Sequence, residues 1–447
     1  MITPARPISP AAAAMAQAAS ATLADHDWLA DLLAEARQRI RSQLTPAQIE
    51  DPSAQDMATG EGIITPLVDA FFATARREGV TITVEPAAVV REIIDSIFGF
   101  GPLAAYMTDP EIEEIICNHH ADIRIIHAVR GKEQTTARFR QASELINFVN
   151  RAARDDGRQI DRAHPELNAK MKDGSRLHAI MKPLTAKVEI AVTIRRHRLV
   201  ARTLDDLTRL GTLTPSAAEF LKVAIAGRLN LVVAGSTGSG KTNLVNALGN
   251  AAADDDRFVI IEDTTELQID KSDVVQLCTR HAAEQARAYT IADLVVAALR
   301  MRPDRIITGE ARGPEIVDVL MAANTGHDGQ LLTIHANSTR DVIQRMETMY
   351  LMRGADVPLL AIRRQVADAF QVVVFLRRVE IGGKPRRFVT EIAELLPSQF
   401  MEGDKVVVQN LFEDKGHGLN WTGYFPERLA RRLQENGVTL RQNFFRS

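Results

Sequence analysis

The chain is 447 residues long, 45% hydrophobic and 25% charged, a composition typical of folded globular proteins with roughly two to four domains. Its 54 Lys and Arg residues against 57 Asp and Glu give a formal charge of −3, which provides no general electrostatic reason to coat a nucleic acid or an anionic membrane. The two cysteines, Cys117 and Cys278, are too few for a disulfide framework or a four-thiolate zinc site and fit a reducing compartment. The longest apolar runs have strand length, well short of the ~20 residues of a membrane-spanning helix.

The N-terminal part of the chain is rich in small and polar residues. Residues 1–22 are dominated by Ala and Pro, which predicts a disordered tail rather than a signal peptide. Apolar residues from Leu23 to Leu44 recur at helical spacing and predict one amphipathic helix. The Pro, Gly, Ser and Asp content of 45–62 is typical of a linker. We therefore assign residues 1–60 to a tail, an amphipathic helix and a linker.

The next part is predicted to be a helical region, residues 61–105, followed by an α+β domain, residues 106–200. Helices are expected at about 66–78 and 86–98, the second beginning at Pro86. Short alternating runs with β-branched residues then predict strands, and a helix is expected near 142–155. The predicted strands of this domain are IEEIICN, ADIRIIHAV, TTARFR and VEIAVTIRR, with LNAKMKDGSRLHAIM folding back at the turn Lys172-Asp173-Gly174.

Residues 201–447 alternate between strand and helix patterns, which predicts βαβ units and a doubly wound, mostly parallel α/β sheet. The expected helices lie near 241–252, 290–302 and 313–325. The expected strands are LNLVVAGS, RFVIIED, DVVQLC, RIITGE and LLTIHA, followed after residue 371 by a C-terminal extension with hairpin strands QVVVFLRRV, RRFVTEIAEL and KVVVQNLF and the helix PERLARRLQENG.

A glycine-rich loop between a buried strand and a helix carries the strongest functional signal. It matches G-x-x-x-x-G-K-[ST] in full, the pattern in which backbone N–H groups and a helix N-terminus surround phosphate. In such loops the lysine reaches the β- and γ-phosphates and the final hydroxyl binds Mg²⁺. The predicted nucleotide-binding residues are Gly235, Ser236, Thr237, Gly238, Ser239, Gly240, Lys241 and Thr242.

Acidic residues follow two further strands of the same predicted sheet. Asp263 and Glu266 follow RFVIIED, and Glu310 closes RIITGE. Carboxyl ends of parallel strands meet at one edge of a sheet, so these acids are expected beside the glycine-rich loop. One carboxylate could hold Mg²⁺ and another could orient or deprotonate a water molecule. Taken singly, each could equally be a helix cap or a solvated residue.

His335 stands at the tip of a third strand, LLTIHA. It is either a hydrogen-bonded core histidine or, at the same edge of the sheet, an imidazole that senses the γ-phosphate. The chain has no N-K-x-D guanine signature, which argues against a GTPase.

Four segments in this order carry a family resemblance: GSTGSGKT, IEDTTELQ, RMRPDRIITGEARG and NTGHDGQLLTIHANS. Together they resemble the Walker A, Asp-box, Walker B and His-box motifs of the type II/type IV secretion ATPase superfamily. The resemblance extends over roughly residues 90–440, and the flanking segments DGRQIDRAHPELNAKMKDGSRLHAI and FPERLARRL are most similar to the CpaF-type ATPases of Flp/Tad pili.

The resemblance implies a RecA-like P-loop ATPase domain with ATP and Mg²⁺ as its ligands. Thr242, Asp263 and Glu310 would bind the metal. Glu266, as the Asp-box acid, would polarise the hydrolytic water together with Glu310, and His335 would be the sensor.

Three arginines of the α+β domain, Arg176, Arg195 and Arg196, match positions from which this family's N-terminal domain reaches a neighbouring subunit's phosphates. A planar cation suits charge spread over a transferring phosphoryl group. Each arginine could equally be a surface or strand-edge charge.

The resemblance further implies a homo-oligomer, expected to be a hexamer, in the cytoplasm at the inner face of the bacterial inner membrane. Its partners would be membrane platform proteins of a pilus or secretion system, through which it associates peripherally with the membrane. The predicted function is ATP-driven Flp/Tad pilus assembly or secretion.

Three alternatives stay open at this stage: a conjugative type IV secretion ATPase, a RecA-like nucleic-acid motor, and a nucleotide-gated scaffold without turnover. The net charge and the 5% aromatic content disfavour the nucleic-acid motor, because single-strand tracks use basic grooves with aromatic stacking. Basic clusters at Arg377-Arg378 and Lys384 to Arg387 are interpreted as solvated faces. No direct contact with nucleic acid is expected.

Overall fold

The computed structural model divides the chain into two compact units, Met1–Arg198 and Leu199–Ser447. It describes residues 27–50, 52–80, 82–154, 158–196, 201–280, 287–354, 356–381, 384–416 and 418–441. The predicted disordered tail, residues 1–22, lies outside the described residues. Within these ranges, no helix is both long enough and apolar enough to cross a membrane.

The first unit begins with helices that share one apolar core. Ile40, Ile64 and Ile93, from three different helices, are fully buried together in it. These helices are α1 (Asp27–Gln43), α2 (Pro46–Glu50), α3 (Ala54–Arg77) and α4 (Pro86–Phe98). A 3₁₀ turn at Gly101–Leu103 and helix α5 (Ala104–Thr108) follow, and their buried side chains belong to the core of the adjoining sheet.

The segment predicted as a linker, residues 45–62, is largely helical instead. The Ser53 hydroxyl accepts a hydrogen bond from the Asp56 N–H, and the Asp56 carboxylate accepts one from the Ser53 N–H. This reciprocal capping box begins α3. Gly60 then packs against Phe98, whose ring atom Cε2 would lie 2.5 Å from a Cβ at that position. Local capping and tertiary packing thus outweigh a composition that is typical of linkers.

A six-stranded antiparallel sheet forms the rest of the first unit, in the order β3-β2-β1-β6-β5-β4. One face of the sheet is buried against helix α6 (Ala142–Ala152). Side chains along each strand alternate between this buried face and the opposite face, which is more open to solvent. The strands are β1 (Ile112–His119), β2 (Asp122–His127), β3 (Gly131–Gln134), β4 (Glu166–Lys170), β5 (Arg176–Met181) and β6 (Ile190–Arg195).

The predicted strand TTARFR, residues 135–140, is wrong, because this segment has no strand structure. The Thr135 N–H and hydroxyl both donate to the Ile123 carbonyl, and Phe139 turns into the core. The third strand of the hairpin series is β3, which ends one residue earlier.

The second unit is an α/β structure, as predicted. Its helices are α7 (Leu204–Arg209), α8 (Pro215–Ala226), α9 (Lys241–Asn250), α10 (Ile291–Ala298), α11 (Ile316–Asn324), α12 (Asp341–Leu351), α13 (Leu359–Ala369) and α14 (Glu427–Glu435). Its strands are β7 (Leu231–Gly235), β8 (Phe258–Glu262), β9 (Val274–Cys278), β10 (Arg305–Ala311), β11 (Leu331–Ile334), β12 (Val372–Ile381), β13 (Lys384–Leu395), β14 (Val408–Asp414) and β15 (Leu419–Trp421).

These strands form one sheet in the order β15-β14-β13-β12-β7-β11-β10-β8-β9. The strands from β12 to β9 run parallel, and β13, β14 and β15 add an antiparallel extension. Every residue of β7, β8 and β11 is buried, because separate apolar cores cover both faces of the sheet. Polar side chains of these strands therefore emerge at their ends.

Candidate active site

The glycine-rich loop joins the end of β7 to the start of α9, the geometry that its sequence predicted. Gly238 and Gly240 adopt φ values of 70° and 99°, which side chains other than glycine rarely adopt. Gly235 is required by space, since a Cβ there would lie 2.5 Å from the Leu376 carbonyl oxygen of the adjacent strand β12. The loop is thus a backbone cradle that packs against Leu376 of β12.

Lys241, at the first position of α9, is buried and folds back over this loop. Its Nζ donates to the carbonyls of Gly235 at 3.0 Å and Ser236 at 3.1 Å. The same nitrogen lies 3.5 Å from Nε2 of His335. The predicted phosphate-binding lysine and the predicted sensor are therefore neighbours.

Thr242 is held by Glu266, one of the predicted acids. Its hydroxyl donates to the Glu266 carboxylate at 3.1 Å. Glu266 is positioned in turn by the buried Glu262, whose Oε1 accepts the N–H groups of Glu266 at 2.9 Å and Leu267 at 3.1 Å. The strand end after β8 is thereby fixed beside the helix that begins at Lys241.

Glu310, at the end of β10, binds two cationic or potentially cationic partners. One carboxylate oxygen lies 2.7 Å from His335 Nε2, and the other accepts from Arg312 at 2.6 Å. Desolvation and the neighbouring Lys241 lower the pKa of His335 below its usual value, although Glu310 opposes this. We therefore assign a neutral imidazole, whose Nε2 lies between the Lys241 ammonium group and the Glu310 carboxylate.

Asp263 lies at the outer side of the cluster and is nearly half exposed. Its carboxylate accepts from the Thr279 hydroxyl at 3.2 Å and forms a 3.8 Å ion pair with Arg312. Arg312 thus bridges Asp263 and Glu310. The hydrogen bond to Glu310 is the largest cause of the raised pKa of Arg312.

The arrangement fits a magnesium nucleotide. Among the residues that the structure describes, no group of three or more His, Cys, Asp or Glu side chains could hold a metal ion by itself. Mg²⁺ typically takes one or two protein carboxylates together with substrate phosphates. Oxygen ligands are available around the glycine cradle from the Thr242 hydroxyl and from the carboxylates of Glu266 and Glu310.

The predicted arginines of the first unit lie on its six-stranded sheet. Arg176 pairs across strands with Arg195, and a third cation, Lys170, pairs with Arg176 on its other side. Glu114 is the cross-strand partner of Arg195 at the far end of this row. Like charges placed directly opposite each other are unfavourable, so this cation row (Lys170, Arg176, Arg195) suits an anionic ligand.

Arg196 points elsewhere. Its Nη1 donates to the backbone carbonyls of Tyr106 and Asp109, both at 2.8 Å. The side chain is partly buried within its own unit. This placement favours a structural role for Arg196 over a contact with phosphate.

Sequence reasoning missed three positions around the glycine cradle. Arg312 and Glu262 stood beside recognised acids, but nothing in their spacing indicated which partners they would bind. Arg387 was assigned to a solvated face, yet its Nε donates to the Gly238 carbonyl at 2.8 Å. That interpretation was wrong because it ignored the pairing of the C-terminal hairpin with β7, which carries Arg387 to the loop.

Comparison with known proteins identifies the family to which this chain belongs. A family profile described as "Type II/IV secretion system protein" matches residues 98–390. The chain belongs to the type II/IV secretion system protein family. The match includes all four motif segments and the cation row, and it confirms the superfamily predicted from those motifs.

Individual members of the family are similar over most of their length. A putative conjugal transfer protein of Mycobacterium tuberculosis is 36% identical over 272 residues, which cover 59% of this chain and 76% of that protein. The type IV secretion system protein VirB11 of Brucella suis is 31% identical over 314 residues, covering 64% of this chain and 87% of that protein. A crystal structure of the Brucella suis VirB11 ATPase in complex with sulphate aligns with a TM-score of 0.35 and 29% identity, covering 68% of this chain and 96% of that one.

Proposed function

We propose that this chain is a Mg²⁺-dependent ATPase that works as a hexamer at the cytoplasmic face of the bacterial inner membrane and drives pilus assembly or secretion. The observation that carries the proposal is the convergence of three strand ends on one glycine cradle. Lys241 lies beside His335, His335 beside Glu310, and Thr242 beside Glu266. Family membership supports the same reading.

The residues have separate roles in the proposed hydrolysis. Lys241 and the loop N–H groups hold the β- and γ-phosphates. Glu310 orients the attacking water and accepts its proton, assisted by Glu266. Thr242, with Glu310 and Asp263, would hold a bound Mg²⁺, whose charge would offset that of the phosphates.

His335 couples the acid to the phosphate side of the site. Nε2 of its neutral imidazole lies 2.7 Å from the Glu310 carboxylate and 3.5 Å from the Lys241 ammonium group. A change in the γ-phosphate alters the position of Lys241 and, through His335, of Glu310. Such phosphate-dependent contacts are the usual origin of domain movement in nucleotide motors.

We assign Arg176 and Arg195 to a second part of the site, supplied to the nucleotide of a neighbouring subunit. The supporting observation is the cation row, where the two arginines lie opposite each other next to Lys170. Cations of this kind stabilise charge on the transferred phosphoryl group. Arg196 is left out of this assignment because it binds two backbone carbonyls of its own unit.

Two transport processes are candidates for this ATPase. The flanking segments resemble the CpaF type, which supports Flp/Tad pilus assembly through inner-membrane platform proteins. The similarity to conjugal transfer proteins and to VirB11 supports a conjugative type IV secretion ATPase instead. A host strain carrying Glu310→Gln distinguishes them: loss of surface pili indicates the first and loss of plasmid transfer the second.

The biochemical test uses the full chain with ATP and Mg²⁺. Wild type is expected to release phosphate. Lys241→Ala is expected to lose ATP binding, and Glu310→Gln to retain binding without turnover. Light scattering of Glu310→Gln with ATP is expected to give a mass near ~6 protomers, a closed ring.

Each negative result has a distinct meaning. A wild-type ring without turnover would favour the nucleotide-gated scaffold. A strict monomer under every condition would contradict the assignment of Arg176 and Arg195 to a neighbour's site. DNA-stimulated turnover would favour the nucleic-acid motor.

A further inference from the structure

The C-terminal hairpin of β12 and β13 runs directly beside the glycine cradle. β12 is parallel to β7, with Leu376 opposite Gly235. At this point β7 ends and the glycine-rich loop begins, whereas β12 continues to Ile381. The residues of β12 after Leu376 therefore lie alongside the loop.

Two arginines of this hairpin reach the same glycine of the loop. Arg378 on β12 and Arg387 on β13 are direct cross-strand partners. Arg387 donates from Nε to the Gly238 carbonyl at 2.8 Å. A Cβ at Gly238 would lie 3.0 Å from Nη1 of Arg378, so both guanidinium groups lie against Gly238.

The positive charges of Arg378 and Arg387 favour a nearby anion. Two arginines opposite each other on antiparallel strands repel. Among the residues that the structure describes, Arg378 makes no ion pair or hydrogen bond, and its side chain is exposed. Glu380 is the nearest acid along the same face of β12, and within the same ranges it makes no ion pair with Arg378. A polyphosphate in the adjacent cradle would offset the positive charge of Arg378.

We propose that Arg378 is an additional phosphate-binding residue of the ATP site, and that Arg387 is a positioning residue that holds the glycine-rich loop through the Gly238 carbonyl. This inference rests on the proposed ATPase function. It extends the site from the parallel strands to the antiparallel C-terminal hairpin, which the four family motifs do not include. The anion recognised is the phosphate chain of a nucleoside di- or triphosphate.

The test measures ATP binding, with a fluorescent ATP analogue, and steady-state hydrolysis of the full chain. Arg378→Gln is expected to raise Kd and KM for ATP about tenfold with kcat changed less than about twofold, because one charge-assisted contact to the bound phosphates is lost. Arg378→Lys is expected to recover most of the affinity, since the charge is retained. Arg387→Gln is expected to raise KM and to lower kcat, because the loop that positions the phosphates is no longer held.

Arg377→Gln is the matched control. Arg377 is the neighbour of Arg378 on β12, is exposed, and pairs with Phe388 rather than Arg387. Its Kd, KM and melting temperature are expected to equal those of wild type. Because Arg378 is exposed, Arg378→Gln is expected to keep the wild-type melting temperature as well.

The results separate this inference from the function on which it rests. Wild-type affinity in Arg378→Gln, with wild type binding ATP normally, overturns the inference and leaves the proposed function intact. A lower melting temperature in Arg387→Gln with unchanged KM would show that Arg387 only stabilises the hairpin, and would overturn its positioning role. A wild-type chain that neither binds nor hydrolyses ATP overturns the proposed function and this inference together.

Discussion

The two sheets of the molecule present their polar side chains in different ways. In the nine-stranded sheet, β7, β8 and β11 are buried along their whole length, so the side chains of the candidate site appear where strands end. In the six-stranded sheet one face is exposed, and Arg176 and Arg195, the first residue of β5 and the last of β6, are still paired with each other across the strands.

This difference explains why sequence motifs identify the residues around the glycine cradle but not the cation row. A strand that is covered on both faces can place functional side chains only at its carboxyl end. Such side chains directly follow an apolar run, so a short sequence motif identifies them. A sheet with one exposed face can place a binding residue at every second position. There, only the cross-strand register identifies which charges meet.

The largest effect is expected at a strand end of the buried sheet. Glu310→Gln should lower kcat roughly 10³-fold, because the carboxylate that orients and deprotonates water is lost. ATP affinity should change by no more than about threefold, since the Gln side chain is isosteric and Lys241 still binds phosphate. Single-turnover phosphate release and equilibrium binding measure the two quantities separately. Equal losses in both would place Glu310 in ground-state binding instead of catalysis.

The next effect concerns the cation row of the exposed sheet. Arg176→Gln and Arg195→Gln should each lower kcat about 10²-fold, because each removes a cation from the proposed transition-state contact. Arg196→Gln is the matched control on the same strand end. It should leave kcat near wild type but lower the free energy of unfolding by about 2 kcal/mol, because two backbone carbonyls lose a charged donor. A reversed pattern would exchange the roles of Arg195 and Arg196.

A smaller effect is expected in the pH dependence of hydrolysis. Because desolvation and Lys241 lower the pKa of His335, the neutral imidazole predominates from pH 8 down to the ordinary histidine value of about 6.5. The midpoint of the histidine-dependent decline in rate should therefore lie below pH 6.5, because protonation of His335 breaks the neutral arrangement. His335→Gln should lower kcat roughly tenfold and remove the histidine-dependent part of the decline. A decline centred above pH 6.5 would contradict the lowered pKa.

The smallest effect tests an exception to the rule that polar groups of the large sheet lie at strand ends. Glu394 lies within β13 and is fully buried, with the Tyr424 hydroxyl donating to it at 3.1 Å. Burial raises its pKa from 4.5 to about 7. The folded chain therefore holds this proton more tightly than the unfolded chain, and wild type loses stability as pH rises from about 4.5 through 7.

Glu394→Gln removes that titration while keeping an oxygen for Tyr424. At pH 8 the variant should be more stable than wild type by about 1 kcal/mol, and near pH 4.5 the two should be alike. Denaturant unfolding at both pH values measures the difference. Equal stability at pH 8 would show that Glu394 ionises in the folded chain without cost.

Much of the α/β unit could be predicted because its information is local. The cradle, Glu266, Glu310 and His335 each follow a recognisable buried strand, and the topology of parallel strands brings them together. Arg387 could not be assigned in this way, since its contact depends on the register of a hairpin about 150 residues after the loop. No element was predicted between LLTIHA and the C-terminal strands, where the structure has helices α12 and α13.

The start of α3 carries a practical lesson for expressing parts of this chain. A boundary drawn at residue 60, where composition suggests a linker, would cut this 24-residue helix after its first two turns. The cut would remove the Ser53 cap and leave Phe98 without the glycine against which it packs. A shortened protein beginning at residue 61 would therefore expose an apolar surface and tend to aggregate. One that begins before Asp27 would retain the whole helical core of the first unit.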